Sequence, residues 1–276
     1  MPTVIRLLTP DGLQAVDYTA DSLKVASAYE PDDGIYTVTN TYNRYDTLKL
    51  NTHFDRMEDS AQRQGIDLSL DRQGVRDALR ELIDIADYGE VRFRITVPKS
   101  TPDTFILTVE PFSPPSQAIK ENGVRCITAP NSARHDAEAK TTDWMHQRKA
   151  LSDAMPDDIY DTFLLDADGN ILEGLGANFY AVQDDVLRTA GEGVLKGISQ
   201  QIVFEVAEGI VAIEKVAPHI NDLKDFQEAF LTSSSRGIIP VVEIDGVRLG
   251  DSTPGKITNA LRSAYEAWMA DHLEPL

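Results

Sequence analysis

The stretch LLDADGNILEGLGANFYAV, residues 164–182, contains two apolar runs on either side of a short polar turn. The central DADGN has the Asp, Gly and Asn residues that suit a tight hairpin, so the stretch predicts a pair of strands. The second run ends at Glu173, and Asn178 follows shortly after it. Because acids are seldom buried, the ordinary interpretation of Glu173 is an exposed side chain after a turn. The alternative is a functional carboxylate, and the rest of the chain decides between the two.

The composition narrows the class of protein. The chain has 276 residues and a net charge of −19, so its surface repels polyanions and nucleic acid is a poor partner. Cys126 is the only cysteine, which excludes an internal disulfide, a Cys-rich zinc site and a Cys-x-x-Cys redox pair, and we expect no metal site. The sequence has no apolar run of bilayer length, and its first residues lack the pattern of a signal peptide. We therefore expect a cytoplasmic protein that does not bind membranes.

The first half of the chain alternates between strand and helix patterns. YTVTNTYN (36–43) and DTLKLN (46–51) have the β-branched, alternating residues of strands, and the turn residues between them predict a hairpin. A helix should follow, with Thr52 as its N-terminal cap and Asp55 three residues on. A second helix is predicted from one apolar stripe, which consists of Val75, Leu79, Leu82 and Ala86.

Residues 111–123, PFSPPSQAIKENG, contain three prolines and little periodicity, which is typical of a crossing between domains. Beyond this segment strand patterns dominate, with one helix in SQQIVFEVAEGI (199–210) and another near the C-terminus. We predict an α+β protein with a smaller N-terminal domain at residues 1–115, a linker at 116–123 and a larger, strand-rich C-terminal domain at 124–276.

Three further segments carry candidate site residues. Lys140 follows a charged, turn-like approach and precedes two threonines and Trp144, although a lysine in a loop is most often a solvated surface charge. KGIS (196–199) places a glycine and a serine where a helix is predicted to start. LTSSSRGIIPV (231–241) ends an apolar strand in three serine hydroxyls. Each signal is weak by itself, and their common order along the chain is the informative observation.

This order resembles the class IV aminotransferases, the fold type IV pyridoxal-phosphate enzymes that include branched-chain and D-amino acid aminotransferases and aminodeoxychorismate lyase. DDGIYTVTNTYN is similar to the family's Gly-Asp-Gly-Val-(Phe/Tyr)-Glu strand, and LKLNTHFDRMEDSA is similar to its segment with His-x-x-Arg. The lysine, ILEG, NFY, GIS and LTSSSRGIIPV then come in the family's order. The resemblance covers most of the chain. It implies a two-domain fold with a sandwich-like N-terminal domain and a pseudo-barrel C-terminal domain.

The resemblance also implies the cofactor, pyridoxal 5'-phosphate, and the residues that bind it. Lys140 would form a Schiff base with the cofactor aldehyde and, once displaced by substrate, would move the proton between Cα and C4′. Glu173 would keep the pyridine nitrogen protonated through a charge-assisted hydrogen bond. The other cofactor-binding residues that the resemblance implies are Arg56, Leu195, Gly197, Ile198, Ser199 and Ser234.

Most of these residues also have an ordinary structural interpretation. The fork of Arg56 suits the phosphate, and Ile198 and Ser199 at a helix start would form an anion site. Without the resemblance, Ser199 would be a plain helix cap, Ser234 part of a polar loop and Leu195 a core residue.

The substrate-binding residues implied by the resemblance are Tyr36, Arg92, Arg94, Trp144 and Ser235. Because Arg92 and Arg94 are two residues apart in a predicted strand, they project from the same face, and either could hold a substrate carboxylate in a bidentate fork. Ion pairs with Asp or Glu are the ordinary alternative for both. Thr37 stands where the family strand usually has Glu, and Trp144 stands near a tyrosine of the branched-chain enzymes, which leaves the substrate class open.

We therefore expect a homodimeric transaminase, with the cofactor between its two domains, that moves an amino group between an amino acid or amine donor and a 2-oxo acid. A pyridoxal-phosphate lyase of the aminodeoxychorismate lyase type is the nearest alternative. A non-catalytic, small-molecule-binding protein on the same scaffold is an alternative of another class. The sequence leaves the chirality of the substrate open, because the family uses opposite sides of one site with few residue changes.

Overall fold

Two units with separate sheets make up the described part of the chain, residues 2–276 of the computed structural model. The first unit comprises the chain up to Ser113 together with Ala139–Gln147 and His272–Leu276. The second unit comprises Pro114–Glu138 and Arg148–Asp271. The short segment that carries Lys140 therefore folds with the first unit, although it comes after the predicted linker in the sequence.

The first unit contains an antiparallel sheet and a small two-stranded sheet. Its strands are β1 (Val4–Thr9), β2 (Gly12–Ala15), β3 (Gly34–Asn40), β4 (Asp46–Leu48), β5 (Val91–Pro98), β6 (Phe105–Pro111) and the C-terminal β16 (Leu273–Pro275). The order in the larger sheet is β2-β1-β6-β5-β3, and β4 pairs with β16. Its helices are α1 (Leu23–Ala26), a 3-10 turn (Ser27–Tyr29), α2 (Leu50–Gln64) and α3 (Arg72–Ala86).

Helices α2 and α3 share one core with the sheet because each presents an apolar stripe. The predicted stripe of α3 is confirmed, since Val75, Leu79 and Leu82 are buried in the same core as the inward residues of β5. Asp71 caps this helix, and its Oδ1 accepts the Gly74 N–H at 3.0 Å. The side chain of Asp71 thereby satisfies one of the N–H groups that the first turn of α3 leaves without a helical partner.

The predicted N-terminus of α2 is wrong. The helix begins at Leu50, ahead of Thr52, and Lys49 before it makes no side-chain cap. Glu274 of β16 caps the helix instead. Its Oε1 accepts the N–H of Leu50 at 2.6 Å and that of Asn51 at 3.4 Å. A carboxylate from the other end of the chain thus replaces the local cap that the sequence pattern indicated.

The predicted hairpin between residues 36–43 and 46–51 is also wrong. Strand β3 pairs with β5, and β4 pairs with β16. The two segments meet only in an isolated bridge between Tyr42 and Asp46, with Asn43 and Arg44 at positive φ in the turn. The turn residues were recognised correctly, but each strand pairs with a strand from a more distant part of the sequence.

The second unit contains a nine-stranded sheet. Its strands are β7 (Val124–Ala129), β8 (Asp161–Leu165), β9 (Ile171–Gly174), β10 (Ala177–Gln183), β11 (Val186–Arg188), β12 (Ala212–Glu214), β13 (Glu228–Ser233), β14 (Gly237–Ile244) and β15 (Val247–Arg248). The order is β12-β11-β10-β13-β14-β7-β8-β9, with β15 on β14, and β9 also pairs with β10. This last pairing closes β10, β13, β14, β7, β8 and β9 into a barrel, which confirms the predicted α+β class with a strand-rich second domain.

The remaining helices are α4 (Gln117–Asn122), α5 (Thr142–Asp153), α6 (Ile198–Val206), α7 (Lys256–Asp271) and a 3-10 turn (Ile220–Asp225). Helix α4 forms within the stretch predicted as a linker, where the Ser116 hydroxyl accepts the Ile119 N–H. The hairpin of residues 164–182 is confirmed as β8 and β9, with Gly169 at φ 90° in its turn. Glu173 lies in β9, directly opposite Asn178 of β10.

Candidate active site

Lys140 is fixed through its backbone on both sides. Its carbonyl oxygen accepts the Tyr36 N–H of β3 at 3.0 Å, and its own N–H donates to the Ser60 hydroxyl of α2 at 3.1 Å. The next residue, Thr141, forms a β-bridge with Ile35. The Lys140 ammonium nitrogen lies 4.6 Å from the centre of the Tyr36 ring, within range of a cation–π contact. A strand and a helix therefore set the point from which this side chain extends.

Arg56 and His53 lie on the same helix, α2, and share a hydroxyl partner. Arg56 Nη2 donates to Thr37 Oγ1 at 3.2 Å and lies 3.5 Å from His53 Nδ1, which is 2.7 Å from the same hydroxyl oxygen. Burial, with the nearby charges of Arg56 and Lys140, holds the pKa of His53 well below 6.5, so its imidazole is neutral at pH 7. Burial also lowers the pKa of Arg56 to about 10, and the guanidinium stays charged at neutral pH.

The charge of Arg56 has no carboxylate partner in the described structure. Among residues 2–276 its hydrogen-bond partners are the Thr37 hydroxyl and the His53 ring, and its Nε is buried without a partner. Arg56 is half-buried, and a guanidinium that is partly removed from water without a counter-charge loses solvation that a bound anion would offset. Thr37 contributes an uncharged hydroxyl to Arg56, so its hydrogen bond leaves the positive charge in place.

The two strand arginines of β5 have different surroundings. Arg94 is 5% exposed and is bound by Glu30, whose second carboxylate oxygen accepts the Thr96 hydroxyl. Arg92 is half-exposed and lies 3.4 Å from Glu110. Both therefore have the acidic partners expected for ordinary ion pairs, and Arg92 keeps the more accessible guanidinium.

The other substrate-side candidates lie in two places. Tyr36 is buried in β3, opposite Thr96 of β5, so it is on the sheet face that carries Arg94. Trp144 is half-buried in the first turn of α5, where its N–H donates to Thr141 Oγ1 at 3.4 Å. In the second unit, Ser234 and Ser235 are half-buried in the turn between β13 and β14.

Glu173 is buried in the second unit, so the ordinary interpretation of an exposed acid is wrong. Its Oε1 accepts a hydrogen bond from Arg134 Nη1 at 3.1 Å, and both side chains are 5% exposed. Its Oε2 accepts the backbone N–H of Leu195 at 3.2 Å.

Leu195 and Gly197 lie in a loop that Asn178 fixes. The Asn178 amide donates to the Leu195 carbonyl at 2.8 Å. Gly197 passes so close to Asn178 that a Cβ at this position would lie 1.9 Å from the amide oxygen, so only glycine fits. Asn178 thereby holds the loop that supplies a backbone donor to Glu173.

Helix α6 begins directly after this loop. Ile198 is its first residue, and Gly197 before it makes no side-chain cap. The first N–H groups of a helix need partners from outside the helix, which makes this end suitable for an anion. Ser199 is buried in the first turn, and the Tyr265 hydroxyl of α7 donates to its Oγ at 3.0 Å. Because Tyr265 occupies a lone pair of Ser199, the Ser199 hydroxyl proton is available to another acceptor.

Sequence analysis missed three residues that support the site: Ser60, Arg134 and Tyr265. His53 was noted only as part of the His-x-x-Arg segment, with no role of its own. Ser60 is four residues after Arg56, which places it on the same face of α2, so helical spacing would have found it. Arg134 lies in an irregular loop, and Tyr265 matched the ordinary core stripe of α7. For these two no local pattern marks the role.

Residues 34–244 match the family model of the class IV amino-transferases. The chain therefore belongs to the class IV aminotransferases, which are pyridoxal 5'-phosphate enzymes that transfer amino groups. This family membership favours a transaminase over a lyase or a non-catalytic binding protein.

Several known proteins are similar over nearly the whole chain. A D-alanine aminotransferase from Bacillus licheniformis is 28% identical, covering 86% of this chain and 88% of that protein. A protein from Methanocaldococcus jannaschii, provisionally named a branched-chain-amino-acid aminotransferase, is also 28% identical over 85% of this chain and 86% of its own length. The crystal structure of the branched-chain aminotransferase from the thermophilic archaeon Thermoproteus uzoniensis with norvaline has the same fold. The match covers 100% of this chain and 99% of that chain, with a TM-score of 0.79 and 21% identity.

The side chains present fit the family cofactor. Arg56 and the start of α6 each suit an anion such as a phosphate, and the buried carboxylate of Glu173 suits a protonated ring nitrogen. Within residues 2–276 no group of three or more His, Cys, Asp or Glu side chains is placed to hold a metal ion. The same residues include no helix with the length and apolar character needed to cross a membrane.

Proposed function

We propose that this transaminase acts through Lys140 and that the cofactor-binding residues named above hold pyridoxal 5'-phosphate. The observation that carries the proposal is the double backbone anchoring of Lys140, together with the unbalanced charge of Arg56; both charges are near enough to His53 to lower its pKa. When bound, the cofactor supplies a conjugated ring that accepts the electron pair left on Cα after proton loss. Lys140 would hold the cofactor by its amine and, once released, would carry the proton at the substrate Cα.

The other residues would orient the cofactor. Glu173 would keep a proton on the ring nitrogen, and Leu195 would pack against the ring. Arg56 would bind the phosphate from α2, while the N–H groups of Ile198 and Ser199 would bind it from the start of α6, after the close turn at Gly197. Ser234 would add a hydroxyl to the same phosphate.

A two-stage exchange tests the function. An amino donor alone should change the absorbance spectrum of the cofactor-loaded protein in a single turnover, and a 2-oxo acid should restore the original spectrum. Both enantiomers of each donor should be compared, because the substrate and its chirality are open. Release of stoichiometric pyruvate from aminodeoxychorismate without this conversion would contradict transamination and favour the lyase.

Lys140→Ala tests the assigned lysine. We expect the loss of the proton carrier to reduce turnover by about 100- to 10,000-fold, with the fold retained. Borohydride reduction of the loaded wild-type protein, followed by peptide mapping, should place the adduct on Lys140. An adduct on Lys149 or Lys196 would show that the assignment is wrong; Lys149 is the next lysine in the sequence, and Lys196 directly precedes the cofactor-binding loop residue Gly197.

We further propose that Arg92 holds the substrate carboxylate, with Tyr36, Trp144 and Ser235 at the substrate side. Support comes from Arg94, whose guanidinium is already bound by buried Glu30, whereas Arg92 is half-exposed. Arg92→Gln should raise KM for amino acids and 2-oxo acids by about 10- to 100-fold, the effect of one charged hydrogen bond.

Amines without a carboxylate provide the control for Arg92. Their KM, and the affinity for the cofactor, should stay unchanged in Arg92→Gln. Equal losses for both substrate types would mean that Arg92 supports the fold, and no loss for either would mean that it faces solvent.

We also propose that the protein is a homodimer. Support comes from the family resemblance and from Val25 and Tyr29, large side chains of the first unit that stay 47% and 51% exposed in the single chain. Light scattering of the loaded protein would measure the mass, and a monomer at micromolar concentration would contradict the proposal. A cytoplasmic location and the absence of nucleic-acid and membrane partners stay predictions of the sequence.

A further inference from the structure

Arg134 is the most deeply buried cation beside the proposed cofactor residues of the second unit. It lies in the irregular loop after β7, and its Nη1 is 3.1 Å from Glu173 Oε1, with both side chains 5% exposed. Its Nη2 also donates to the Asp136 carbonyl at 3.4 Å, within the same loop. The guanidinium is therefore held by its own loop and presented to the carboxylate.

Removing two opposite charges from water is expensive, and good geometry with further hydrogen bonds is needed to offset the cost. Glu173 has that support, because Leu195 donates a backbone N–H to the other carboxylate oxygen at 3.2 Å. With a guanidinium on one oxygen and an amide N–H on the other, the environment favours the ionised carboxylate. An apolar pair of similar size would often serve the fold equally well, so the presence of this ion pair beside the proposed cofactor residues points to a role beyond stability.

We propose that Arg134 is a positioning residue that keeps Glu173 ionised and oriented, so that a proton shared with the cofactor's ring nitrogen stays on the nitrogen. The inference rests on the proposed function of Glu173. A proton between a carboxylate and a ring nitrogen can give either an ion pair or two neutral groups, and low polarity favours the neutral groups. Arg134 contacts the carboxylate directly and a ring nitrogen beyond it only at longer range. Because Coulomb energy falls with distance, it stabilises the carboxylate charge more than it disfavours the ring charge.

Two substitutions separate the effect of the Arg134 charge from that of its forked guanidinium. Arg134→Gln keeps a donor but removes the charge, and Arg134→Lys keeps the charge but loses the fork. Arg148→Gln is the matched control, because half-buried Arg148 donates to the Leu175 carbonyl at 2.8 Å, two residues after Glu173, and so ties a nearby strand end without touching the carboxylate.

The measurement is the ¹⁵N NMR shift of the ring nitrogen in protein loaded with ¹⁵N-labelled pyridoxal 5'-phosphate. Wild type and Arg148→Gln should show a protonated nitrogen, Arg134→Gln should shift toward the unprotonated value, and Arg134→Lys should lie between them. The first half-reaction of Arg134→Gln should slow by about 10- to 100-fold, as expected from losing one charged hydrogen bond. Thermal melting of the unloaded variants reports the structural contribution separately.

The outcomes decide between the roles. An unchanged nitrogen shift in Arg134→Gln, with a melting loss like that of Arg148→Gln, would overturn the proposal and leave Arg134 a structural tether. If Arg134→Gln does not fold or load, a wild-type shift in Arg134→Lys together with a wild-type half-reaction rate would also overturn it. An unprotonated nitrogen in the wild type would instead contradict the proposed function of Glu173 itself.

Discussion

The region around Arg56 on α2 and the region around Glu173 on β9 differ in whether their charged side chains have an oppositely charged partner. In the first, the described residues place a hydroxyl and a neutral imidazole around Arg56 but no carboxylate. In the second, Glu173 is balanced by Arg134, and the nearby carboxylate of Asp161 is balanced by Arg236 at 3.2 Å. One region carries an unbalanced charge, and the other carries charges that are already paired.

The difference indicates what each region is built to receive. An unbalanced guanidinium gains a counter-charge when a phosphate binds, so the role we propose for Arg56 is affinity. A guanidinium beside a carboxylate favours its ionised form, so the role we propose for Glu173 is to set the protonation state of the ring nitrogen. Substitutions in the two regions should therefore fail in different measurements.

Among substitutions in these two regions, Glu173→Gln should give the largest effect. A neutral amide cannot stabilise a positive ring nitrogen, so the first half-reaction should slow by about 100- to 1,000-fold, the range for losing one preorganised electrostatic contact. Stopped-flow absorbance of the loaded protein under single-turnover conditions measures this rate at equal cofactor occupancy.

Asp161→Asn is the control for Glu173→Gln. Asp161 is also buried in the second unit and paired with an arginine, but it is not a proposed cofactor residue. Its substitution should reduce stability and leave the half-reaction rate near that of wild type. An equal slowing in both variants would show that any buried carboxylate of the barrel supports the rate.

Arg56→Gln should give a smaller effect of a different kind. Loss of the counter-charge should weaken binding of pyridoxal 5'-phosphate by about 10- to 100-fold, as expected for a hydrogen bond to a charged group. Pyridoxal, which lacks the phosphate, should bind wild type and variant alike. Fluorescence titration of the unloaded protein with both compounds gives the two dissociation constants.

Arg63→Gln provides the matched substitution for Arg56→Gln on the same helix. Arg63 is paired with Asp59 at 2.8 Å and is more than one-third exposed, so its loss should change neither constant. If Arg56→Gln weakened pyridoxal and its phosphate equally, the arginine would act through the fold and not through the phosphate.

The sequence predicted the elements whose signals are local. The stripe of α3 and the hairpin around Gly169 follow from residues that are close together in the sequence. The start of α2 could not be predicted, because its cap is Glu274, at the other end of the chain. The pairing of β4 with β16 could not be predicted for the same reason. The turn residues at Asn43 show where the chain turns, but they do not show which strand β4 joins.

The candidate site residues also fall into those that the sequence could predict and those that it could not. Lys140, Arg56 and Glu173 were marked by their order in a family pattern, although pattern alone could not show that Glu173 is buried. Arg134 could not be predicted, because its contact with Glu173 depends on the path of an irregular loop. The ion pair of Arg94 could not be predicted either, because its partner Glu30 comes from a distant segment of the chain.

The smallest expected effect concerns His53, whose neutral state is part of the charge imbalance on α2. Its pKa is held well below 6.5 by burial first and then by Arg56 and Lys140. Below pH 6.5 the unfolded chain therefore binds a proton that the folded chain does not, and stability falls as the pH decreases. One such group contributes at most about 1.4 kcal/mol per pH unit.

His53→Asn keeps an acceptor near the Nδ1 position but removes the titration, so the variant should lose less stability than wild type between pH 6.5 and pH 5.5. Urea unfolding at these two pH values measures the difference, and effects of the many carboxylates cancel because both proteins share them. An unchanged, wild-type pH dependence in His53→Asn would contradict the assigned neutral state. Adding phosphate tests whether the positive charge of Arg56 contributes to the low pKa of His53. By placing a negative charge beside Arg56, it should raise the pKa of His53 and flatten the wild-type dependence toward that of the variant.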